Sequence, residues 1–143
     1  MPANPEMLAF NQALIDDYRA NGGTITSGPM AGRTLILLTT TGAKTGEPHT
    51  APLAFQRDGD AYVIVGSNGG RPDQPAWLAN IEHDPTVTCE IGTDRFTATA
   101  EVLAGAERRR VMDAFIAAIP AFRDYEKNVT NREIPVVRLH RQG

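Results

Sequence analysis

A single cysteine, Cys89, leaves no internal disulfide to stabilise the chain and suits a reducing compartment. It alternates with Val87 and Ile91, so it reads as a small apolar residue on a buried strand face. No histidine or asparagine accompanies it in a nucleophile arrangement. No apolar run approaches the roughly 20 residues that cross a bilayer. The first residues show no charged segment followed by an apolar core, so neither a spanning helix nor a secretory leader is expected, and the expected location is the cytoplasm. Excess positive charge is missing too. The formal net charge is −3, and the only basic run, Arg108-Arg109-Arg110, fans around a predicted helix, where a solvated face is expected and a nucleic-acid partner is not. The three histidines, His49, His83 and His140, are too scattered for metal ligation, and no metal is expected. There is no Walker loop, no G-x-S-x-G elbow and no carboxylate pair placed for glycoside hydrolysis.

What is present is a chain of 143 residues, 41% hydrophobic and 22% charged, enough for one domain with a sizeable core. The expected division is a single domain, 1–143, with an N-terminal helix and loop over 1–32 and a barrel over 33–143. Asn4 as a cap, Pro5 at the first helical position, and Met7, Phe10, Leu14 and Tyr18 at helical spacing predict a helix that Asn21-Gly22-Gly23 stops. A loop through Ser27-Gly28-Pro29 leads to strands expected at Thr34–Thr40, Thr50–Gln56 and Ala61–Val65. Pro52 marks an edge position or a bulge, and Arg57 to Asp60 a turn. Asp73 is the expected cap of a helix from Gln74 to His83. A hairpin follows, its strands alternating around Gly92-Thr93-Asp94. A helix over Ala106–Ile119, a short helical piece from Pro120 to Asn128 and a last strand from Ile134 to His140 complete the chain. Successive hairpins with few helices predict a mainly β, α+β architecture, a small antiparallel barrel.

The stretch from Leu35 to Gly46, LILLTTTGAKTG, ends a strand in three threonines and a glycine-flanked lysine. Backbone amides, hydroxyls and one ammonium at such a turn suit an anionic or phosphorylated ligand; an ordinary hairpin turn with an exposed lysine accounts for the same residues. The other loops are rich in Gly, Ser, Thr and Asn. That inventory suits a polar, flat, phosphorylated molecule that does the difficult chemistry while the polypeptide holds it.

Four segments, LILLTTTGAKTGEPHTAPL, VGSNGG, PAWLANIEHDP and IPAFRDYEKNVTNREIPVV, stand in an order that resembles the deazaflavin-dependent nitroreductase family of actinobacteria. Those proteins are oxidoreductases using the reduced 5-deazaflavin coenzyme F420. The resemblance implies a split β-barrel related to flavin-binding pyridoxamine-oxidase-like barrels. It implies that Lys44 and Thr45 meet the phosphate and oligoglutamate tail. His49 stands where relatives commonly carry arginine. Thr50, Ala51 and Pro52 would border the ring and linker, Gly66, Ser67 and Asn68 would face the ring, and Ala76, Trp77 and Asn80 would flank it. Trp77 reads equally as a core aromatic. On the acceptor side the resemblance implies Ala54, Ile119, Phe122 and Tyr125. Tyr125 is the candidate catalytic residue, its hydroxyl donating to charge that develops on the acceptor; pure packing is the other reading of the same ring. Against the tyrosines of nitroreducing members Phe122 lacks the hydroxyl, and Ile119 replaces another ring, which makes the acceptor side more apolar.

The implied activity is hydride transfer from reduced F420 to a quinone, an activated alkene or a nitro compound. Two alternatives stay open: an FMN-dependent barrel oxidoreductase and a non-enzymatic flavin or lipid carrier. A homodimer is expected as an option. A quinone acceptor would bring the protein near a membrane surface, although the first helix is not strongly basic.

Overall fold

The computed structural model describes residues 5–142 apart from Ser27, Pro29, Met30 and Arg33. Asn4, Ser27 and Pro29, to which a cap and a loop were assigned, lie outside the described residues. The first helix, α1 (Pro5–Ala20), stops at the Asn21-Gly22-Gly23 turn. Its buried stripe is Leu14, Ile15 and Tyr18, packed with Ile25, Leu35 and Leu37. Phe10, expected on that stripe, is instead 47% exposed. Tyr18 fixes the helix. Its hydroxyl donates to Leu35 O at 2.8 Å and accepts from Gly92 N at 2.7 Å. Arg19 forks onto Glu90 at 3.1 and 2.7 Å.

Seven strands follow: β1 (Ile36–Thr41), β2 (Pro48–Leu53), β3 (Gln56–Asp58), β4 (Ala61–Val65), β5 (Thr86–Ile91), β6 (Asp94–Val102) and β7 (Val136–Arg141). All pairings are antiparallel, in the order β2-β1-β5-β6-β7-β4-β3. The two outer strands are β2 and β3, yet only Ala54 and Phe55 separate them in the chain. Three Cα steps span at most about 11 Å, so the sheet has to curl until its edges meet. Curling without a ladder between β2 and β3 makes a split barrel.

The second strand departs from expectation. It begins at Pro48 and ends at Leu53, because its register pairs Thr41 with Pro48 and Ile36 with Leu53. Gln56–Asp58, expected partly as its tail and partly as a turn, forms β3 against β4. Pro48 and Pro52 fit the outer strand, where a missing N–H costs no ladder bond.

The interior holds Ile36 and Leu38 of β1, Tyr62 and Ile64 of β4, and Val87 and Cys89 of β5. Phe96, Ala98, Val137 and Leu139 complete it, and α2 (Ala76–His83) closes it with Trp77, Leu78 and Ile81. Val63, Val65 and Val136 face the other way, onto Val111, Met112, Phe115 and Ile116 of α3 (Gly105–Ala118). Coverage on both faces explains why β4 is apolar throughout. A short helix, α4 (Phe122–Asn128), rides beside α3.

Two local expectations are corrected. Asp73 caps nothing: α2 starts after Pro75, whose extended backbone occupies the cap position, and the Asp73 carbonyl instead accepts from Asn68 Nδ2 at 3.0 Å. The arginine run is not a uniformly solvated face. The Arg108 side chain is 12% exposed and donates to Ile134 O at 2.6 Å, tying α3 to the approach to β7. Arg109 and Arg110 do lie outside, paired with Asp113, Glu126 and Glu107.

Candidate functional site

One groove of about 2670 Å³ runs from the β1–β2 turn along the outer face of β2 to the loop 66–75 and α4. It exceeds the roughly 300–1,000 Å³ of an ordinary ligand pocket and can hold two molecules side by side. Every residue to which a coenzyme or acceptor role was assigned from sequence lines this one groove, although they come from four separate stretches of chain, 44–54, 66–68, 76–80 and 119–125.

The β1–β2 turn forms one end. Gly42 N donates to Glu47 O at 2.8 Å and Gly46 N to Gly42 O at 2.9 Å, closing the turn on itself. Thr45 Oγ1 accepts from Glu47 N at 3.2 Å, and Lys44 stands exposed, with no ion pair among the described residues. His49 lies against Gly42, where an added Cβ would come within 2.9 Å of its Nε2; only glycine lets the ring approach. Asn80 does something the sequence did not indicate. It is buried, its Oδ1 accepts from Ala43 N at 3.0 Å, and its Nδ2 donates to Thr40 Oγ1 at 3.0 Å. Both ends of the amide are used inside the protein, so Asn80 couples α2 to the turn. Along the floor, Thr50 pairs with Thr39 across the strands, hydroxyl to hydroxyl at 2.7 Å.

At the other end, Ser67 is buried and Asn68 half-buried, and the chain makes a 3-10 turn over Asn68–Gly70. Gly66 lacks a side chain for a reason other than ligand approach: an added Cβ would sit 2.4 Å from Pro135 Cγ. Gly69, by contrast, faces open space. Trp77 is 7% exposed, belongs to the barrel interior and also lines the groove.

The part of the groove formed by Ala54, Ile119, Phe122 and Tyr125 is aromatic and aliphatic. Phe115, Phe122 and Tyr125 form a ladder of edge contacts, with centroids 4.9 and 5.3 Å apart, leading from the core out to the groove. The Tyr125 ring rests on Gly70, and its hydroxyl has no hydrogen-bond partner among the described residues. Ile119 and Ala54 pack beside it.

One residue escaped sequence reasoning altogether. Arg132 lies under the loop 66–74 and donates to Gly66 O at 3.1 Å, Ser67 O at 3.0 Å, Arg71 O at 3.0 Å and Gln74 Oε1 at 2.7 Å. Its Nε is buried without a partner. Burial pushes its pKa below the ordinary arginine value, Asp73 opposing the shift. The segment NVTNREIPVV carried part of the family resemblance, but a lone arginine between polar residues gives no local signal of such a role.

The electrostatics of the groove run against those of the chain. Lys44, Arg57, Arg71 and Arg132 line it against a single carboxylate, Asp73, in a protein of formal net charge −3. Cations concentrated in a concave surface focus the field on an anionic ligand. The groove is lined by the hydroxyl residues Thr45 and Thr50, with the exposed Lys44 ammonium at one end and the Arg132 guanidinium near the other. These features fit a flat anionic molecule with an extended tail.

Fold and groove together define a split-barrel protein with a cationic ligand groove. The sequence model described as F420H(2)-dependent quinone reductase matches residues 12–141, and the chain belongs to that family. The F420H(2)-dependent quinone reductase Rv1261c of Mycobacterium tuberculosis is 44% identical over 96 residues, which are 67% of this chain and 62% of that protein. The chain thus matches about 62% of the length of that relative. A solved F420-H2 dependent reductase, FDR-A, is 35% identical with a TM-score of 0.69, over 76% of this chain and 95% of that one. Another solved structure, a domain-swapped dimer, is 30% identical with a TM-score of 0.71, over 96% of this chain and all of that one (100%).

Proposed function

We propose that this protein is an F420H2-dependent reductase whose acceptor is a quinone. The observation that carries the reading is the groove that gathers cations out of an acidic chain, in a barrel of the quinone reductase family. Reduced F420, when bound, supplies the hydride. The polypeptide supplies position and environment. Lys44 and Thr45 hold the anionic tail, and His49 adds a contact beside them. Thr50, Ala51 and Pro52 border the linker and ring. Gly66, Ser67 and Asn68 face the ring from one side, and Ala76 and Trp77 flank it. Asn80 serves the coenzyme through the turn that it anchors.

Ala54, Ile119 and Phe122 offer the acceptor an apolar, water-poor wall, which strengthens any hydrogen bond made inside it. The free hydroxyl of Tyr125 is the donor placed to meet negative charge on an acceptor oxygen. An apolar wall with one hydroxyl suits a quinone better than a nitro group, which several polar donors would serve.

F420 is favoured over FMN because two of the similar proteins above, Rv1261c and FDR-A, are F420-dependent by name. Among the described residues no helix is long and apolar enough to cross a membrane. Glu6, Asp16 and Asp17 of α1 outweigh Arg19, so the helix offers anionic lipid little attraction, and a cytoplasmic location is our reading. A homodimer is supported by the relative that is a domain-swapped dimer.

The reading is tested by following the absorbance of reduced F420 with the pure protein and menadione. Loss of absorbance that depends on both protein and menadione is expected. Binding of F420 without turnover on menadione or on a panel of alkenes and nitroaromatics would make the protein a carrier.

A further inference from the structure

The loop that faces the proposed ring site has few bonds of its own. Gly70 N reaches Ser67 O and Arg71 N reaches Asn68 O, which closes only the 3-10 turn. One more internal bond, from Asn68 Nδ2 to Asp73 O at 3.0 Å, spans the loop, and the other ties come from one segment distant in sequence. Arg132 takes the carbonyls of Gly66, Ser67 and Arg71 and the amide oxygen of Gln74. Asn131 Nδ2 donates to Pro72 O at 3.0 Å, Gln74 Nε2 to Glu133 O at 3.0 Å, and Gly66 N to Pro135 O at 2.8 Å. Arg132 is the centre of this stapling, and no carboxylate lies within ion-pair distance of it among the described residues. A guanidinium is planar, with five N–H donors in a fixed fork, so it can hold several carbonyls at set angles to one another. With its carbonyls gathered onto one group, the loop still presents Ser67, Asn68 and Gly69 to the groove, which Arg132 also lines.

We infer that Arg132 is a positioning residue for the coenzyme: its fork sets the shape of the loop 66–74 against which the ring lies, and it works through geometry rather than through attraction of the anionic tail. This rests on the coenzyme reading above, but its first test does not need the coenzyme.

In the apo-protein, hydrogen–deuterium exchange of the amides over 67–74 is measured for wild type, Arg132→Gln and Arg132→Lys. Exchange in the loop is expected to rise at least tenfold in both variants, with β1 and β5 unchanged. A lysine places its donors on one nitrogen and cannot span four acceptors. The affinity for oxidised F420 is then titrated by fluorescence well below the melting temperature of each variant, over a range of salt. Both variants are expected to weaken binding at least tenfold, with the slope of log Kd against log salt unchanged. A residue that served only global stability would lower the melting temperature and leave Kd of the folded protein as it was.

The inference is overturned by unchanged loop exchange in Arg132→Gln, by wild-type affinity in Arg132→Lys, or by a shallower salt slope, which would mark Arg132 as a tail contact. If Arg132→Gln fails to fold, Gln74→Ala removes one of the four acceptors and must show the same loop exchange, smaller in size. A wild type that binds no F420 would defeat the functional reading, while the exchange experiment would still decide the role of the arginine.

Discussion

Asn80→Ala is the substitution whose consequence the structure fixes most closely. Asn80 is 8% exposed and Thr40 2%. Truncation removes the 3.0 Å acceptor of Ala43 N and the 3.0 Å donor to Thr40 Oγ1. Each bond contributes about 1 kcal/mol, and a buried partner left unsatisfied costs about 1–3 kcal/mol. Thr40 Oγ1 loses its donor, and Ala43 N, fixed by the backbone, loses its acceptor. The expected loss is roughly 2–3 kcal/mol, or a fall in melting temperature of roughly 6–12 °C for a domain of this size. Urea unfolding of the apo-protein at 25 °C measures it, with thermal melts as a second probe. Because the turn carries Lys44 and Thr45, affinity for F420 should fall as well. A variant as stable as wild type without coenzyme but weak in binding F420 would refute this reasoning. Asn80 would then be a direct contact of the ligand rather than a tie between α2 and the turn.

Three further outcomes are expected. Lys44→Ala should weaken F420 binding by about 1 kcal/mol at low salt and by less at high salt, since an exposed charge contact is screened; equal affinity at low salt would take Lys44 out of the site. Tyr125→Phe should lower kcat for menadione severalfold and leave the Kd of F420 within about twofold, and unchanged turnover would return Tyr125 to packing between Phe122 and Gly70. Burial pushes the Cys89 thiol from its ordinary 9.0 up to about 12. With the folded pKa above the unfolded one, stability is intact below about pH 9 and declines as pH rises from there toward 12, at up to about 1.4 kcal/mol per pH unit. Tyr18, also raised by burial, acts in the same direction. Urea unfolding at about pH 8 and pH 10.5 checks this, and equal stability at the two would contradict it.

The strands with strong period-2 or continuous apolar patterns were legible from sequence. Ala61–Val65 falls where expected, and the Val87-Cys89 alternation does face the interior. The boundary between β2 and β3 was not, because it depends on which neighbour each strand pairs with: β2 follows the register of β1, and Gln56 crosses to β4. Propensity along the chain carries no record of that exchange. Phe10 had the right spacing for the buried stripe, but among the described residues the packed stripe runs only from Leu14 to Tyr18 and leaves Phe10 47% exposed.

At the site, glycine and hydroxyl loops pointed to the groove because their chemistry is local. Gly66 and Asn80 also carry structural duties that the sequence did not show, packing against Pro135 and anchoring Ala43. Arg132 lies 65 residues from Ser67, whose carbonyl it holds. Such a contact follows only from the curl that brings the start of β7 beside the end of β4.

Titration of the purified apo-protein with F420 and, separately, with FMN tests the central claim most directly. Saturable binding of F420, weakened by salt, with FMN binding far more weakly, is the predicted result. Tight binding of FMN with none of F420 would contradict the account.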